Sequence, residues 1–359
     1  MEVLVFIIVL GFMVFVHELG HFLTAKRAGI KVEEFGFGFP PRLIGVRRGE
    51  TVYSINAIPL GGFVRMLGEN GDSPAPDAFG SARKLWRSAV LLAGPMMNIL
   101  VSALIFGSAY LVGWPTPTES QVQVYRVMPG SPAQQAGLRE GDVILQVDRQ
   151  AIKKSTDLRD VTMQHLGQPL AIMVNRDGQD MTISVTPRTN WPPDEGPMGL
   201  GLWDRTTRVE PISYPLPQSL WMGAQRTAEA VGLTFYVPIL LMKGMIPAEL
   251  ARPVGPVGIY QITSQAAQET ISTGWAFPLL SIAGMLSAGL GVANLLPIPG
   301  LDGGRLLFIL IEAVRGRRVS PEREGMIHFL GIVFLLSMVA IISYYDVFSP
   351  VNVSWDGLR

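Results

Sequence analysis

Cysteine is missing from this chain of 359 residues, and charged side chains are scarce. Without cysteine the protein has no disulfide bond and no thiolate metal site, although this absence does not fix its compartment. Charged residues make up 16% of the chain, against about 25% in an ordinary soluble protein. The formal net charge is zero, so nothing in the composition indicates a nucleic-acid partner. With 48% hydrophobic residues, the composition predicts a membrane protein.

Four long apolar stretches account for this composition. A bilayer core about 30 Å thick requires roughly 20 apolar residues in each helix that crosses it. The stretches that meet this length are Val3–Ala25, Ser88–Trp114, Trp275–Leu301 and Gly325–Tyr345. We therefore expect a multi-pass α-helical membrane protein with four transmembrane helices.

Basic residues indicate how these helices are oriented. The segment from Lys26 to Arg87 and the segment from Arg305 to Arg323 are both rich in lysine and arginine. By the positive-inside rule, both segments face the cytoplasm. The N-terminus, the C-terminus and the region between the second and third helices are then expected to be extracytoplasmic.

The region over residues 121–188 has a different pattern. Apolar residues alternate in short runs, which is typical of β-strands, and Asp177-Gly178 between two runs predicts a hairpin turn. Ser131 is expected to cap a helix that begins at Pro132 and ends near Gly137. The segments GSPAQQAGL and GDVI resemble a PDZ domain of the type found in bacterial proteases. PDZ grooves accept an extended peptide as an added strand, so a peptide or a substrate end is a candidate partner. The alternative is a domain that only blocks access to the active site.

The rest of the domain organisation follows from these assignments. Residues 1–115 form an N-terminal membrane half, and residues 271–349 form a C-terminal membrane half. Between the PDZ-like domain and the third apolar stretch, residues 189–270 are expected to be an extracytoplasmic linker. Residues 230–242 in this linker are apolar but short, and Pro238 interrupts them. They predict an amphipathic or interfacial helix rather than a membrane span.

The first apolar stretch contains His17, Glu18 and His21 in the order H-E-x-x-H. Residues four apart share one face of a helix, so the two imidazoles point the same way. Each group that is charged at the centre of a membrane helix costs roughly 2.5–3.5 kcal/mol, and a metal lowers this cost because it binds neutral imidazole. The motif is typical of zinc metalloproteases, with two histidine ligands and the glutamate as general base. The alternative is a polar patch or proton pathway without a metal.

A catalytic zinc requires a third protein ligand at the same depth in the membrane. Asp302 directly follows the third apolar stretch, at its expected cytoplasmic end. The prolines and glycines around it predict irregular backbone, which membranes tolerate where it is buried or lines a wet cavity. His328, near the cytoplasmic start of the fourth stretch, is the rival candidate, whereas His165 lies in the extracytoplasmic domain. We expect Asp302 to be the third ligand.

Several segments together resemble the bacterial site-2 proteases, a family of intramembrane zinc metalloproteases. They are HELGHFLTAKRAG, FGFGFP, IPLGGFVRM, AGPMMN, the PDZ-like region, GPVGI and NLLPIPGLDGGR. The resemblance implies one Zn²⁺ per chain, with His17, His21 and Asp302 as its ligands and Glu18 as the general base. Many members from Gram-negative cells carry two tandem PDZ domains, whereas this chain has room for one.

The resemblance also implies substrate-binding residues. Asn98 and Asn294 match motif asparagines that help to hold substrate, although interhelical hydrogen bonding is an alternative role for both. Residues 32–67 are β-like and are expected to form a β-hairpin sheet that dips into the membrane beside the zinc. An exposed sheet edge there could pair with an unwound substrate, and the alternative is a structural loop that only seals the cytoplasmic face. The residues expected at this edge are Gly62, Phe63, Val64 and Arg65.

The implied activity is cleavage of transmembrane segments of single-pass membrane proteins, such as anti-sigma factors or signal-peptide remnants. Another protease is expected to shorten these substrates first, and the enzyme is expected in the inner membrane of a bacterial cell. Two other functional classes remain open. One is a membrane protein that conducts protons or ions through His17, Glu18 and Asp302, and the other is a non-catalytic PDZ scaffold in the membrane.

Overall fold

The computed structural model describes residues 1–69, 73–193, 195–247 and 252–355. These residues form two compact units. The first, mainly helical, combines Met1–Trp114 with Ser213–Trp355, and the second, rich in β-strands, is Pro115–Ile212. The expected linker over residues 189–270 includes residues 194 and 248–251, which lie outside the described residues.

The described residues contain nine α-helices and eight β-strands. In chain order they are α1 (Glu2–Arg27), β1 (Val32–Arg48), β2 (Thr51–Met66), α2 (Lys84–Val112), β3 (Trp114–Val127), α3 (Pro132–Ala136), β4 (Val143–Val147), β5 (Gln150–Ala151), α4 (Ser155–Gln164), β6 (Leu170–Arg176), β7 (Gln179–Val185), β8 (Leu200–Ile212), α5 (Leu216–Met242), α6 (Pro256–Thr273), α7 (Phe277–Leu295), α8 (Asp302–Arg315) and α9 (Pro321–Phe348).

Four of the described helices, α1, α2, α7 and α9, are long and apolar enough to cross a membrane. They coincide with the four apolar stretches of the sequence, and this prediction is confirmed by length and composition. The third helix ends at Leu295, however, rather than at Leu301. Pro297 and Pro299 have no backbone N–H to continue the helical bonds, and Gly300 adopts a φ of 99°. A separate helix, α8, then begins at Asp302, and the sequence did not predict it.

The apolar residues 230–242 are the second half of α5 rather than a separate short helix. The first half of α5 packs along α2, where a Cβ on Gly223 would lie 2.8 Å from Cα of Gly107. Ser102 and Thr227 are joined by a hydrogen bond of 3.2 Å between their hydroxyl groups. The first half of α5 contains polar residues, so a hydropathy pattern does not identify it as a helix. Its contact with α2 depends on the small Gly223 rather than on an apolar stripe.

Strands β1 and β2 are long and bent, and they pair with each other antiparallel along more than one stretch of the same sheet. Phe35 lies opposite Val64 and also opposite Tyr53, so the first part of β1 is a central strand between the two ends of β2. Residues 42–48 and residues 62–66 are consequently the two edges. The sheet lies against α1, where the Phe22 and Phe35 rings stack with their centroids 4.8 Å apart.

The β-rich unit has the strand order β7-β6-β4-β3-β8, with β5 paired to β4. Two local predictions are confirmed. The Ser131 side chain accepts a hydrogen bond from the backbone N–H of Gln134 at the start of α3, and Asp177-Gly178 forms the turn between β6 and β7. The domain limit at residue 188 was too early, because β8 belongs to this sheet. Met198 is buried in the core of the unit and Leu200 packs against that core.

Candidate metal centre

The two histidines of the H-E-x-x-H motif are neighbours on α1. His17 and His21 are one helical turn apart, and their Nε2 atoms are 3.1 Å apart. Both side chains are buried. The same face of α1 therefore presents two nitrogen atoms to one point, as the four-residue spacing predicts.

Asp302 completes this cluster from the first turn of α8. Its Oδ2 atom lies 3.0 Å from Nε2 of His17 and 3.3 Å from Nε2 of His21. Among the described residues, these three offer ligand atoms that all lie within 4.8 Å of one another. Three ligand atoms at about 2.0–2.1 Å from one zinc ion lie at distances from one another that are similar to the 3.0–3.3 Å seen here. The cluster therefore has the dimensions of a zinc site with three protein ligands.

Hydrogen bonding to the outer nitrogen of His21 supports the same conclusion. Its Nδ1 lies 2.7 Å from the backbone oxygen of Val90, which can only accept, so Nδ1 carries the proton. A neutral His21 then directs the lone pair of Nε2 towards Asp302. The Oδ2 atom of Asp302 is buried and has no hydrogen-bond partner among the described residues. With both histidines neutral and protonated on Nδ1, three lone pairs would converge on one point, and a bound cation stabilises such an arrangement, so the donor set fits a metal ion.

Asn98 contacts the outer nitrogen of the other histidine. Its side chain is fully buried, and its Nδ2 atom lies 3.3 Å from Nδ1 of His17. The Oδ1 atom of Asn98 has no partner among the described residues. Because the two ends of an amide are assigned from their hydrogen bonds, exchanging them places Oδ1 against a protonated Nδ1. His17 would then offer Nε2 to a metal, as a hydrogen bond to the far ring nitrogen commonly ensures.

Two glycines bring α1 and α2 close enough to shape this cluster. A Cβ on Gly94 would lie 2.6 Å from Cε1 of His21 and 2.9 Å from Cε1 of His17. A Cβ on Gly20 would lie 2.7 Å from the backbone carbon of Ala93. Neither glycine was predicted from the sequence to shape the site. The signal was present in the two motifs, because Gly20 lies next to His21 and Gly94 belongs to AGPMMN.

Glu18 faces the edge of the β-sheet. Its carboxyl group lies against the backbone of Val64, and a Cβ on Gly62 would lie 3.7 Å from its Cγ. The four residues predicted from the IPLGGFVRM segment therefore lie on the sheet edge beside the predicted base. Val64 and Arg65 have their strand partners in β1, opposite Phe35 and Glu34.

The remaining candidates lie outside the cluster. Asn294 donates a hydrogen bond of 3.1 Å to the Leu290 oxygen of its own helix. His328, the rival third ligand, accepts a hydrogen bond from the backbone N–H of Gly300. His165 belongs to the β-rich unit, with its Nδ1 2.9 Å from a backbone oxygen of α4.

Comparison with known proteins places the chain in a family context. The profile of peptidase family M50 matches residues 5–338. The regulator of sigma-W protease RasP of Bacillus subtilis is 29% identical over 427 residues, covering 96% of this chain and 98% of that protein. The zinc metalloprotease RasP of Oceanobacillus iheyensis is also 29% identical, over 428 residues, with coverage of 96% and 98%.

One similar solved structure is the HtrA3 PDZ domain bound to a phage-derived ligand. It is 23% identical, covers 24% of this chain and 68% of that domain, and has a TM-score of 0.18. This score is too low to support a statement about the fold of the β-rich unit.

Proposed function

The chain belongs to peptidase family M50, and from this premise we propose that His17, His21 and Asp302 hold its catalytic zinc while Glu18 is its general base. The protein is a zinc metalloprotease of the intramembrane, site-2 type. The observation that carries the assignment of residues is the convergence of two Nε2 atoms and the Oδ2 atom of Asp302, which lies 3.0 and 3.3 Å from them. A proton pathway does not require this convergence, whereas a metal does.

The reaction follows from the position of these groups. When bound, a zinc ion lowers the pKa of a water molecule and polarises the scissile carbonyl. Glu18, adjacent to His17 on α1, takes the proton of the attacking water and returns it to the leaving amine. Asn98 and Val90 hold the outer nitrogens of the two histidines, so the imidazoles keep one orientation through the cycle.

Substrate binding is assigned to the sheet edge formed by residues 62–66. A peptide bond in a helix is shielded, and hydrolysis requires an extended backbone. The edge has partners in β1 on one side, and on the other side the backbone of Val64 faces Glu18. An unwound substrate that pairs with Gly62, Phe63, Val64 and Arg65 would replace its lost helical hydrogen bonds and pass beside the base. Asn294, on α7, is retained as a further substrate contact.

The substrates are single-pass membrane proteins shortened beforehand by another protease. A relative is named a regulator of sigma-W protease, which supports anti-sigma factors as one substrate class for this chain. Enzyme and substrate share the inner membrane of a bacterial cell. The basic segments flanking α1, α2 and α8 support a cytoplasmic position for the zinc-side loops and an extracytoplasmic position for the termini and the β-rich unit.

The β-rich unit is proposed to be a single PDZ domain that binds the end of a shortened substrate. A groove of about 440 Å³ lies between α4 and the start of β8. Arg159 and Met163 of α4 and Leu200 and Leu202 of β8 are among its lining residues. Because β8 is the last strand in the order of the sheet, an extended peptide can add to it as a further strand.

The proposed activity is tested with purified full-length protein in a membrane mimetic. A single-pass substrate whose extracytoplasmic part has been shortened should be cleaved within its transmembrane segment. A zinc chelator should stop the cleavage, and added zinc should restore it. Cleavage that continues after complete removal of metal would refute the metal-dependent mechanism.

A further inference from the structure

Asp302 follows an irregular segment, residues 296–301, that joins α7 to α8. Three of its backbone N–H groups bond locally, from Leu296 to Ala293, from Ile298 to Leu296 and from Leu301 to Ile298. Pro297 and Pro299 have no N–H. The remaining donor, Gly300, bonds to Nδ1 of His328 on α9, with 2.9 Å between the two nitrogens.

This bond is accompanied by close packing between the segment and α9. A Cβ on Gly331 would lie 2.6 Å from Cβ of Pro299, so α9 makes its close approach to the segment at Gly331, which has no side chain. A Cβ on Gly300 would lie 3.0 Å from Cγ1 of Ile332 and 3.4 Å from Cδ1 of Leu335. His328, Gly331, Ile332 and Leu335 are spaced at three or four residues, so they share one face of α9.

We propose that His328 is a positioning residue for the zinc site, because its Nδ1 holds the Gly300 amide and thereby fixes the direction in which Asp302 enters α8. The inference rests on the proposed role of Asp302 as a ligand. The accepted proton requires Nδ1 to be unprotonated, so neutral His328 carries its hydrogen on Nε2. Its ring packs on Phe308 of α8, with the centroids 5.4 Å apart. His328 therefore contacts both the segment before Asp302 and the helix after it.

The geometry gives this role to the ring nitrogen rather than to the bulk of the ring. Loss of the acceptor would leave the Gly300 N–H without a partner, and the segment would relax by rotation about Gly300, whose φ of 99° is freely accessible to glycine. Asp302 lies two residues further along the chain. Zinc affinity is sensitive to such displacement. Mutation of groups that orient metal ligands typically lowers metal affinity by about 10–100-fold.

Three substitutions separate the acceptor from the packing. His328→Phe keeps an aromatic ring against Phe308 and removes the acceptor. His328→Asn places an amide oxygen where Nδ1 stands, and His328→Gln places it one bond further out. Ser337→Ala is a matched control, because Ser337 is exposed on α9 and, among the described residues, its hydroxyl bonds only to the Val333 oxygen of its own helix.

Zinc affinity is measured on the full chain in detergent by competition with a chelator, with zinc as the only added ligand. His328→Phe and His328→Gln should bind zinc about 10-fold more weakly than wild type. His328→Asn and Ser337→Ala should bind it as wild type does. Unchanged affinity in His328→Phe, or equal weakening in His328→Phe and His328→Asn, would overturn the proposal. A wild-type affinity that His21→Ala does not reduce would instead refute the proposed ligand set.

Discussion

The side-chain amide of Asn98 lies against the ring of His17, with Nδ2 3.3 Å from Nδ1. Both side chains are buried, so Asn98 is positioned to orient His17, a proposed metal ligand. This placement favours an orienting role over the substrate contact that the resemblance to site-2 proteases implies. The same helix is tied to α7 through the hydroxyl of Ser287, which donates to the backbone oxygen of Asn98.

The first prediction separates these two roles of Asn98. Asn98→Ala should weaken zinc binding by about 10–100-fold, because Nδ1 of His17 loses its partner. Asn98→Asp keeps an acceptor at the same position and should retain zinc. Chelator competition gives the affinity, and initial rates give KM. An Asn98→Ala enzyme with normal zinc affinity and a raised KM would assign the residue to substrate binding instead.

Gly94 provides a second prediction. Gly94→Ala places a methyl group against Nε2 of His21, 2.6 Å from Cε1 of His21 and 2.9 Å from Cε1 of His17, so at least one ring must turn. Zinc affinity should fall by about 10-fold or more. Gly289→Ala is the matched control, because a Cβ at that glycine of α7 meets no atom within 4 Å. Equal zinc affinity in the two variants, measured by chelator competition, would show that the approach of α2 does not shape the site.

The sheet edge gives a third prediction. Val64→Pro removes a backbone donor from the edge beside Glu18, so cleavage of an intact transmembrane helix should slow while zinc content is kept. A substrate with helix-breaking residues at its cleavage site has fewer helical bonds to replace and should be less affected. Val46→Pro, at the opposite edge of the same sheet, controls for general distortion. The pairing hypothesis fails if Val64→Pro slows neither substrate, or slows both equally, as loss of the Val64 contact with Glu18 alone would do.

Membrane orientation is the fourth prediction. The chain has no cysteine, so single cysteines report without background. Gln179→Cys, at the exposed start of β7, should react with a membrane-impermeant thiol reagent. The cells must have an intact inner membrane whose outer face the reagent can reach. Arg317→Cys, between α8 and α9, should react only after lysis. Glycines of the loops expected to be cytoplasmic, such as Gly49 and Gly316, are less suitable labelling sites, because their positive φ would strain a cysteine. Labelling of Arg317→Cys before lysis would reverse the orientation.

Much of the site could be predicted because its signals are local. The spacing of His17 and His21 places both rings on one helical face whatever the rest of the chain does. The charge of the loops indicated the side of the membrane, and Asp302 could be ranked first because it directly follows the third apolar stretch and irregular backbone is predicted around it. His328 fitted that side equally well, and only the fold shows that its Nδ1 accepts from Gly300 rather than facing His17 and His21.

The parts that sequence did not predict depend on contacts between distant segments. One exception is local: six residues separate α8 from α7, and although Pro297, Pro299 and Gly300 predicted irregular backbone, the apolar pattern did not show that a new helix begins at Asp302. Strand β8 joins its sheet through pairing with β3, which no local pattern specifies. The first half of α5 is polar in part, yet it packs on α2 because Gly223 and Gly107 allow close approach.

The central claim is that His17, His21 and Asp302 bind zinc while Glu18 acts only on protons. It is tested most directly by measuring zinc content and cleavage rate together in purified Glu18→Gln and Asp302→Ala proteins. Glu18→Gln should retain one zinc per chain and lose nearly all cleavage, because glutamine cannot accept the proton of the attacking water. Asp302→Ala should lose both zinc and cleavage. Stoichiometric zinc in Asp302→Ala, or rapid cleavage by Glu18→Gln, would contradict the account.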